Sequence, residues 1–310
     1  MDSIRYLRII ILSCLISLVQ APPVFNYQAE NDQEAWVPKE YPPDIQVSCV
    51  DFLGNVYSSN TYVKRDLGFQ GRLGRHILLS YGDTMYSDAN YSDTWRGMTS
   101  DSIALATHDP LIVVDPILND DGYPPQFCPL MDDLNEDPAE CALGITNIVE
   151  THPGQGILYF LLNHRPDGNN TLIGAGVAMV HLKHHTYPPK PFIKRLGQYW
   201  WDAKTEPWYG DICAICWKGY VYAFGHGGVE NPWVYLTRVR HNEATYLECY
   251  EYWNGIDWQQ ERLNSAALGE AESVFWQINQ GQVVWSNYFG CLVFVYCGRS
   301  GCSILSSNSE

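Results

Sequence analysis

KRDLGFQGRLGRHILLSYGDTMYSD, residues 64–88, is the stretch that decides the fold, together with RGMTSDSIALATHDPLIVVDP at 96–116. It contains apolar runs of strand length at 76–80, 102–107 and 111–114, and glycine, asparagine and aspartate separate them. Short apolar runs between turn residues are typical of antiparallel strands. The stretch therefore predicts an all-β fold.

One type of strand recurs through the rest of the chain. It appears as RHILLSYGDT (75–84), QGILYFLLNH (155–164), KGYVYAFGHG (218–227) and GCLVFVYCG (290–298). A more polar segment precedes each copy: YVKRDLG (62–68), ITNIVET (145–151), YGDICAI (209–215) and GQVVWSN (281–287). Further apolar runs follow the first three copies, so the unit has about four strands, as in a β-propeller blade. A β-sandwich is the alternative, but it does not explain the repeated order of strand types.

The N-terminal residues predict export from the cell. Residues 1–21 carry Arg5 and Arg8, then an apolar run, then small residues up to Ala21, which is the pattern of a cleaved signal peptide. A membrane anchor is the alternative, but the run is shorter than the ~20 residues that a span needs. Residues 22–44 are polar and rich in proline, which predicts an extended arm. We therefore expect a secreted, extracellular protein.

Composition narrows the choice of partners. The formal charge of −16 disfavours nucleic acid and anionic membranes as partners, and it suits neutral or cationic substrates. Eleven tryptophans and 21 tyrosines indicate either aromatic packing in a β core or platforms that stack against sugars. The sequons at Asn90 and Asn169 predict a glycoprotein.

The cysteines predict disulfide bonds. Ten cysteines less Cys14 of the signal peptide leave an odd number, so at least one thiol is free or pairs between chains. Cys128 and Cys141 flank an acidic loop and are predicted to form a bridge. Cys213 and Cys216 lie in an apolar run that we interpret as a strand. Their odd spacing places them on opposite faces, so no zinc or redox site is predicted.

Polar residues at corresponding points of the units form the candidate site. In a propeller the innermost strand of each blade lines a central channel, so these residues converge on one mouth. Any one of them alone is as readily a turn cap or a solvated side chain. No ligand spacing demands a calcium ion or other metal in the channel, and no cofactor is predicted. The candidates are Asp66, Asn147, Asp211 and Glu272 from the first segments, Asp83, His164 and His226 from the ends of the second strands, and Asp101.

Asp66 and Asp83 are the candidates for catalysis. They fall at corresponding ends of adjacent strands, beside Gly68 and Gly82, which allow the backbone to approach closely. Two neighbouring carboxyl groups acquire different pKa values. Acid–base cleavage of a glycosidic bond requires this, because it uses one proton donor and one carboxylate as base or nucleophile.

The segment RDLG…HILLSYGDT…WRGMTSDSIAL resembles the opening of a fungal and bacterial family of secreted domains, long catalogued only as a domain of unknown function. WQINQGQVVWSNYFGCLVFVYC resembles that family's fourth-blade hairpin, so the resemblance covers roughly 45–297. It implies a five-bladed propeller akin to arabinanase- and levanase-type glycosidases, and some members are endo-D-arabinanases. It places active-site carboxylates at Asp66 and Asp83, with Asp101 and Arg96 nearby.

Other parts of the glycosidase pattern are less complete. The catalytic glutamate of the wider propeller glycosidases has no firm match, and Glu206, Asp211 and Glu272 are only candidates for it. Substrate binding is predicted for Asp101, Arg96, His164, Asp211 and His226.

The C-terminal end departs from the family. The fourth unit stops after its second strand, and 298–310 is a polar tail without a blade pattern. We therefore expect a five-bladed type of propeller that is incomplete at the C-terminus, with about four blades and an open edge through which copies could associate.

Three functions stay open at this point. The first is a secreted glycoside hydrolase that acts on an arabinan-like or related polysaccharide. The second is a relative that binds carbohydrate without catalysis or is an inactive truncated form. The third and weakest is a structural cell-wall or surface protein.

Overall fold

The computed structural model describes residues 6–13, 46–166, 169–183, 188–228, 230–266, 268–298 and 301–307, with side chains between 53 and 296 of these ranges. The all-β prediction is confirmed, since no α-helix occurs in these ranges. Short 3-10 turns lie at Asp132–Leu134, His241–Glu243 and Leu247–Cys249. The first two strands, β1 (Tyr6–Ser13) and β2 (Gln46–Asn55), pair in parallel.

The first large sheet is formed by strands between residues 57 and 114. Its order is β3-β10-β9-β6-β5, with all pairs antiparallel except β3 and β10. A small sheet of order β4-β7-β8 continues from it. The bounds are β3 Tyr57–Ser58, β4 Val63–Arg65, β5 Phe69–Leu73, β6 His76–Tyr81, β7 Thr84–Tyr86, β8 Met98–Thr99, β9 Ser102–Ala106 and β10 Ile112–Val114.

Three further antiparallel sheets follow in chain order. The second has the order β11-β12-β13-β14 with β15 beside β13, the third β16-β17-β18-β19-β20 with β21 beside β18, and the fourth β22-β23-β24. The bounds are β11 Cys141–His152, β12 Gln155–His164, β13 Thr171–Lys183, β14 Lys190–Arg195, β15 Trp201–Asp202, β16 Cys213–Trp217, β17 Tyr220–His226, β18 Trp233–Arg240, β19 Glu251–Trp253, β20 Trp258–Gln259, β21 Phe275–Trp276, β22 Ile278–Ser286, β23 Cys291–Gly298 and β24 Gly301–Ser307.

The first strands of the four sheets, β5, β11, β16 and β22, are called the inner strands here. β5 contacts β11, β11 contacts β16, β16 contacts β22, and β22 contacts β5. Of these four contacts, the one between β22 and β5 involves the fewest described residues. In this contact the backbone N–H of Gln70 donates to Gln282 Oε1 at 3.3 Å. The four sheets thus neighbour one another in cyclic order.

The inner strands run in the same direction. Gly71 of β5 lies against Ile148 of β11, and further along the amide of Gly74 donates to the carboxylate of Glu150. On the other side, Trp217 at the end of β16 stacks on Trp285 near the end of β22, with ring centroids 4.7 Å apart. The inner strands therefore begin at one common end, where β6, β12, β17 and β23 finish. We call this the upper end.

Apolar cores lie between three pairs of neighbouring sheets. One cluster joins the first and second sheets, a second joins the second and third, and a third joins the third and fourth. The second cluster is rich in aromatic side chains, so aromatic packing in the core accounts for much of that composition. Fully buried examples are Tyr159, Trp201, Tyr209, Tyr250 and Tyr252.

Gly71 sets how closely the first two sheets approach. A β-carbon at Gly71 would lie 2.5 Å from the carbonyl oxygen of Ile148, which is closer than atoms tolerate. We expect Gly71→Ala to destabilise the fold by about 1–3 kcal/mol, since the sheets must separate. Gly144→Ala is the matched control, because a β-carbon there meets nothing within 4 Å. Chemical denaturation measures both variants, and equal midpoints would contradict this account of the contact.

Two predictions about the strands are wrong. The sequence predicts YVKRDLG as the first strand of the first unit, but the inner strand is β5, so Asp66 lies in the link between β4 and β5. The sequence predicts that the fourth unit stops after two strands, but a third strand, β24, pairs with β23 over the whole length of β24. The predicted polar tail at 298–310 therefore includes a strand.

The predicted disulfide between Cys128 and Cys141 is also wrong, since both thiols are free. Cys128 is fully buried, and its backbone N–H donates to Asp101 Oδ1 at 2.9 Å. Cys141 instead begins β11 and is only half-buried. Cys213 is also a free thiol, and both Cys213 and Cys216 lie in β16. No disulfide and no cluster of three or more potential metal ligands occurs among the side chains described.

The predicted signal peptide and arm lie mostly outside the described residues, apart from β1, which belongs to residues 1–21. Within the described part of the chain, no helix is long and apolar enough to cross a membrane. Both sequon asparagines, Asn90 and Asn169, are exposed.

Candidate functional site

Asp66 and Asp83 lie next to each other at the upper end of the first sheet. The backbone N–H of Asp66 donates to the carbonyl of Asp83 at 2.9 Å, and Gly82 N–H donates to the carbonyl of Asp66 at 3.2 Å. Asp66 is exposed and Asp83 is half-buried. The two residues are thus joined through their backbones where β5 begins and β6 ends. Their predicted role as a catalytic pair stays a prediction.

The turn at Asp66 has a specific conformation. Asp66 Oδ1 accepts a hydrogen bond from Leu67 N–H at 2.7 Å, and Leu67 has a φ of 62°, in the left-handed region that side chains rarely adopt. A β-carbon at Gly82 would lie 2.9 Å from the Leu67 side chain. Glycine at 82 therefore makes room for this turn, as the sequence had indicated.

A buried ion pair anchors the strand that leads to Asp66. The guanidinium of Arg65 binds the carboxylate of Asp115, and the two side chains are 6% and 2% exposed. Arg65 Nε also donates to Ser102 Oγ at 3.1 Å, and its guanidinium lies 5.0 Å from the ring centre of Tyr81. Arg65 thus fixes the backbone immediately before the candidate acid or base. Sequence reasoning overlooked this residue.

Asp101 does not belong to the exposed site, which corrects the prediction that it binds substrate. It is fully buried, and its Oδ1 accepts hydrogen bonds from the backbone N–H groups of Phe127 and Cys128 at 2.7 and 2.9 Å. Burial raises the pKa of Asp101 to about 7, against the lowering effect of these amides. Asp101 therefore holds the backbone of Phe127 and Cys128 in the core.

Arg96 lies away from the two aspartates. It is exposed, and its guanidinium binds the carboxylate of Asp88 at 2.9 and 3.2 Å. Its backbone N–H donates to the carbonyl of Tyr86, the last residue of β7, whereas Asp83 precedes β7. A three-residue strand spans about 10 Å, so Arg96 sits at the other end of the small sheet.

His164 lies at the upper end of the second sheet. It ends β12, and its Nε2 lies 3.3 Å from Glu140 Oε2. Both side chains are well exposed, at 39% and 56%. An exposed pair of this kind contributes little to stability. Because its side chain is exposed, His164 is accessible to a ligand at this end.

Asp211 and His226 form a buried polar link between the third and fourth sheets. Asp211 Oδ2 lies 2.6 Å from His226 Nδ1, and Asp211 Oδ1 accepts the backbone N–H of His226 at 3.1 Å. His226 Nε2 lies 2.9 Å from the carbonyl oxygen of Ile278, where β22 begins. Both ring nitrogens face acceptors, so the arrangement is complete only when the imidazole carries two protons.

The pKa of His226 reflects these contacts. Burial lowers the pKa, but the Asp211 carboxylate and the bonds to Asp211 and Ile278 together raise it above its ordinary value. Asp211 is itself only 4% exposed. The pair therefore has a structural role in joining two sheets, and its predicted contact with substrate stays a prediction.

The His226 link predicts a pH dependence of stability. Because the folded state binds this proton more tightly than the unfolded state, the stabilisation is complete below the unfolded pKa of about 6.5. It is lost as the pH rises through the raised folded pKa. We expect His226→Gln to lower Tm clearly at pH 6 and by a smaller amount at pH 9. A difference that is constant across this range would contradict the role assigned to the proton.

The other acidic and amide candidates have structural partners. Asn147 is fully buried, and its Nδ2 donates to the carbonyl of Gly210 at 2.9 Å. Glu206 binds Arg262 at 2.7 Å, and Glu272 Oε2 accepts Gly269 N–H at 3.2 Å. Glu206 and Glu272 stay candidates for the unmatched glutamate.

Comparison with known proteins gives a likeness in fold. No family model matches the chain, and no curated protein matches its sequence. One similar solved structure is a protein of Bacteroides ovatus described as a "putative hydrolase", with a TM-score of 0.50 and 13% sequence identity. The match covers 76% of this chain and 63% of that one, so it spans less than two thirds of the length of that protein. The chain is therefore similar to that protein in fold.

Proposed function

We propose that this chain is a secreted glycoside hydrolase of the β-propeller type, with Asp66 and Asp83 as its catalytic carboxylates. The substrate class is a neutral, arabinan-like or related polysaccharide. The cyclic order of the four sheets and the common direction of their inner strands support the propeller assignment, because blades are arranged in this way around an axis.

The observation that carries the proposal is the backbone link between the two aspartates at the upper end. Glycosidases need two carboxyl groups roughly 5 to 9.5 Å apart on either side of the scissile bond. Residues joined by a 2.9 Å hydrogen bond between their backbones can present carboxyl groups within this range. The anchoring of Arg65 by Asp115 then limits how far the Asp66 turn can shift.

The chemistry follows from the two environments. Asp83, half-buried, is assigned the role of the proton donor to the leaving oxygen. Asp66, exposed, suits the role of the carboxylate that takes a proton from water or attacks the sugar. The donor's proton goes to the leaving glycosidic oxygen as its bond to the anomeric carbon breaks, and a water molecule supplies the new hydroxyl group.

The alternative is a relative that binds carbohydrate without cleaving it. The exposure of Asp66 favours this alternative, since catalytic carboxyl groups are usually in partly shielded sites. Both functions use the upper end, and both suit a protein with a formal charge of −16 acting on a neutral polymer outside the cell.

The test is release of reducing sugar by the purified chain from plant, fungal and bacterial polysaccharides, including linear arabinan. Release from at least one polymer, lost in Asp83→Asn, supports the hydrolase. Retention on a polymer in affinity electrophoresis without any release would instead establish the binding protein. Neither release nor retention would reject both.

A further inference from the structure

Two indole side chains form an exposed pair on the third sheet. Trp276 is 56% exposed, and its ring centre lies 6.4 Å from that of the half-buried Trp233, with the ring planes at 49°. Trp233 in turn packs against the aromatic core between the second and third sheets. One indole is therefore anchored in the core while the other stands on it and faces solvent.

The backbone holds Trp276 in this position from both sides. Trp276 is the register partner of Trp233 in the β18–β21 pair. Val274 N–H donates to the carbonyl of Val234 at 2.8 Å, and Gln277 N–H donates to that of Pro232 at 2.7 Å. Gln277 has a φ of 52°, a left-handed conformation that persists only where the surroundings enforce it. These backbone bonds therefore hold Trp276 in its exposed position.

This pair lies at the upper end, like the two aspartates. β18 begins with Trp233, shortly after β17 finishes at His226, and β22 begins two residues beyond Trp276. Because the inner strands are parallel, this is also the end at which Asp66 precedes β5. The first and third sheets are not neighbours in the cyclic order, so the indoles and the carboxylates lie on opposite sides of the same end.

We propose that Trp276, supported by Trp233, is a stacking platform for one neutral sugar ring of a polysaccharide. The face of an indole is electron-rich and attracts the C–H groups on the face of a sugar ring. The exposed Glu230 nearby and the formal charge of −16 disfavour an anionic occupant. The ligand class rests on the proposed function, but binding at the platform does not require catalysis.

The experiment is affinity electrophoresis of the full chain through gels that contain linear arabinan or another polymer of the panel. Trp276→Ala should bind about tenfold more weakly than the unaltered chain, as expected for a tryptophan that dominates a contact. Tyr246→Ala is the matched control. Tyr246 is 55% exposed and follows β18 at the opposite end, so its loss should leave retention unchanged.

A second readout separates this proposal from the hydrolase proposal. If the chain is active, Trp276→Ala should raise KM for the polymer with little change in kcat. Retention that depends on Trp276 without any hydrolysis would support the platform and reject the enzyme. Equal retention of Trp276→Ala and the unaltered chain, or no retention of the unaltered chain on any polymer, would overturn the platform.

Discussion

Asp66→Asn and Asp83→Asn are each expected to lower polysaccharide turnover by about 10²–10⁴-fold, the usual contribution of a positioned acid or base. Asparagine has nearly the same shape but cannot transfer the proton. Because Asp66 is exposed and Asp83 half-buried, neither substitution should lower Tm by more than a few degrees. Initial rates and thermal unfolding of the same preparations measure both effects.

Asp93→Asn is the control for this pair of variants. The side chain of Asp93 is fully exposed, and its only described ion pair is with Lys64 of β4. Its loss should leave turnover unchanged. Rates that fall only in proportion to stability would mark Asp66 and Asp83 as structural residues instead.

Glu136→Leu is expected to destabilise the fold by about 3–5 kcal/mol, because it leaves the buried charge of Arg195 without its partner. Both side chains are at most 1% exposed. Arg195 Nη2 donates to Glu136 Oε1 at 2.8 Å and to the carbonyl of Gln198 at 2.7 Å. The pair ties the loop before β11 to the end of β14.

The double variant Glu136→Leu with Arg195→Met separates charge from packing. Replacing both members of a buried pair by apolar residues is often neutral or stabilising. We therefore expect chemical denaturation to show that the double variant recovers much of the stability lost in Glu136→Leu. If the double variant were the less stable of the two, the unpaired charge would not be the cause.

The sequence predicted the strands that are rich in apolar residues. The apolar runs at 76–80, 102–107 and 111–114 correspond to β6, β9 and β10, and the run WVYLTRVR corresponds to β18. These segments are buried on one or both faces, so composition alone identifies them. The recurrence of one strand type in turn anticipated the first, second and third sheets.

Two strands escaped prediction for physical reasons. β5 reads FQGRL, in which only the alternate residues Phe69, Gly71 and Leu73 are buried. Position 71 contributes no apolar side chain to the pattern, because the close contact with Ile148 leaves room only for glycine. β24 reads GCSILSS, and its serines suggested a tail. Its pairing with β23 depends on partners that the local composition does not reveal.

The site was predictable only in part. The sequence could predict that Asp66 and Asp83 lie close together, because both flank recognisable turns near one hairpin. The burial of Asp101 could not be foreseen, since the amides that bind it belong to Phe127 and Cys128, 26 and 27 positions away. The Glu136–Arg195 pair spans 59 positions and has no local pattern. Long-range polar partners of this kind need the fold to be known.

The most direct test of the central claim is hydrolysis in heavy-oxygen water, followed by mass spectrometry of the products. The chain should place one heavy oxygen at the new reducing end for each bond cleaved, because water supplies that hydroxyl group. The double variant Asp66→Asn with Asp83→Asn should give no labelled product. Labelled product from the double variant at the rate of the unaltered chain, or none from the unaltered chain on any polysaccharide, would contradict the account.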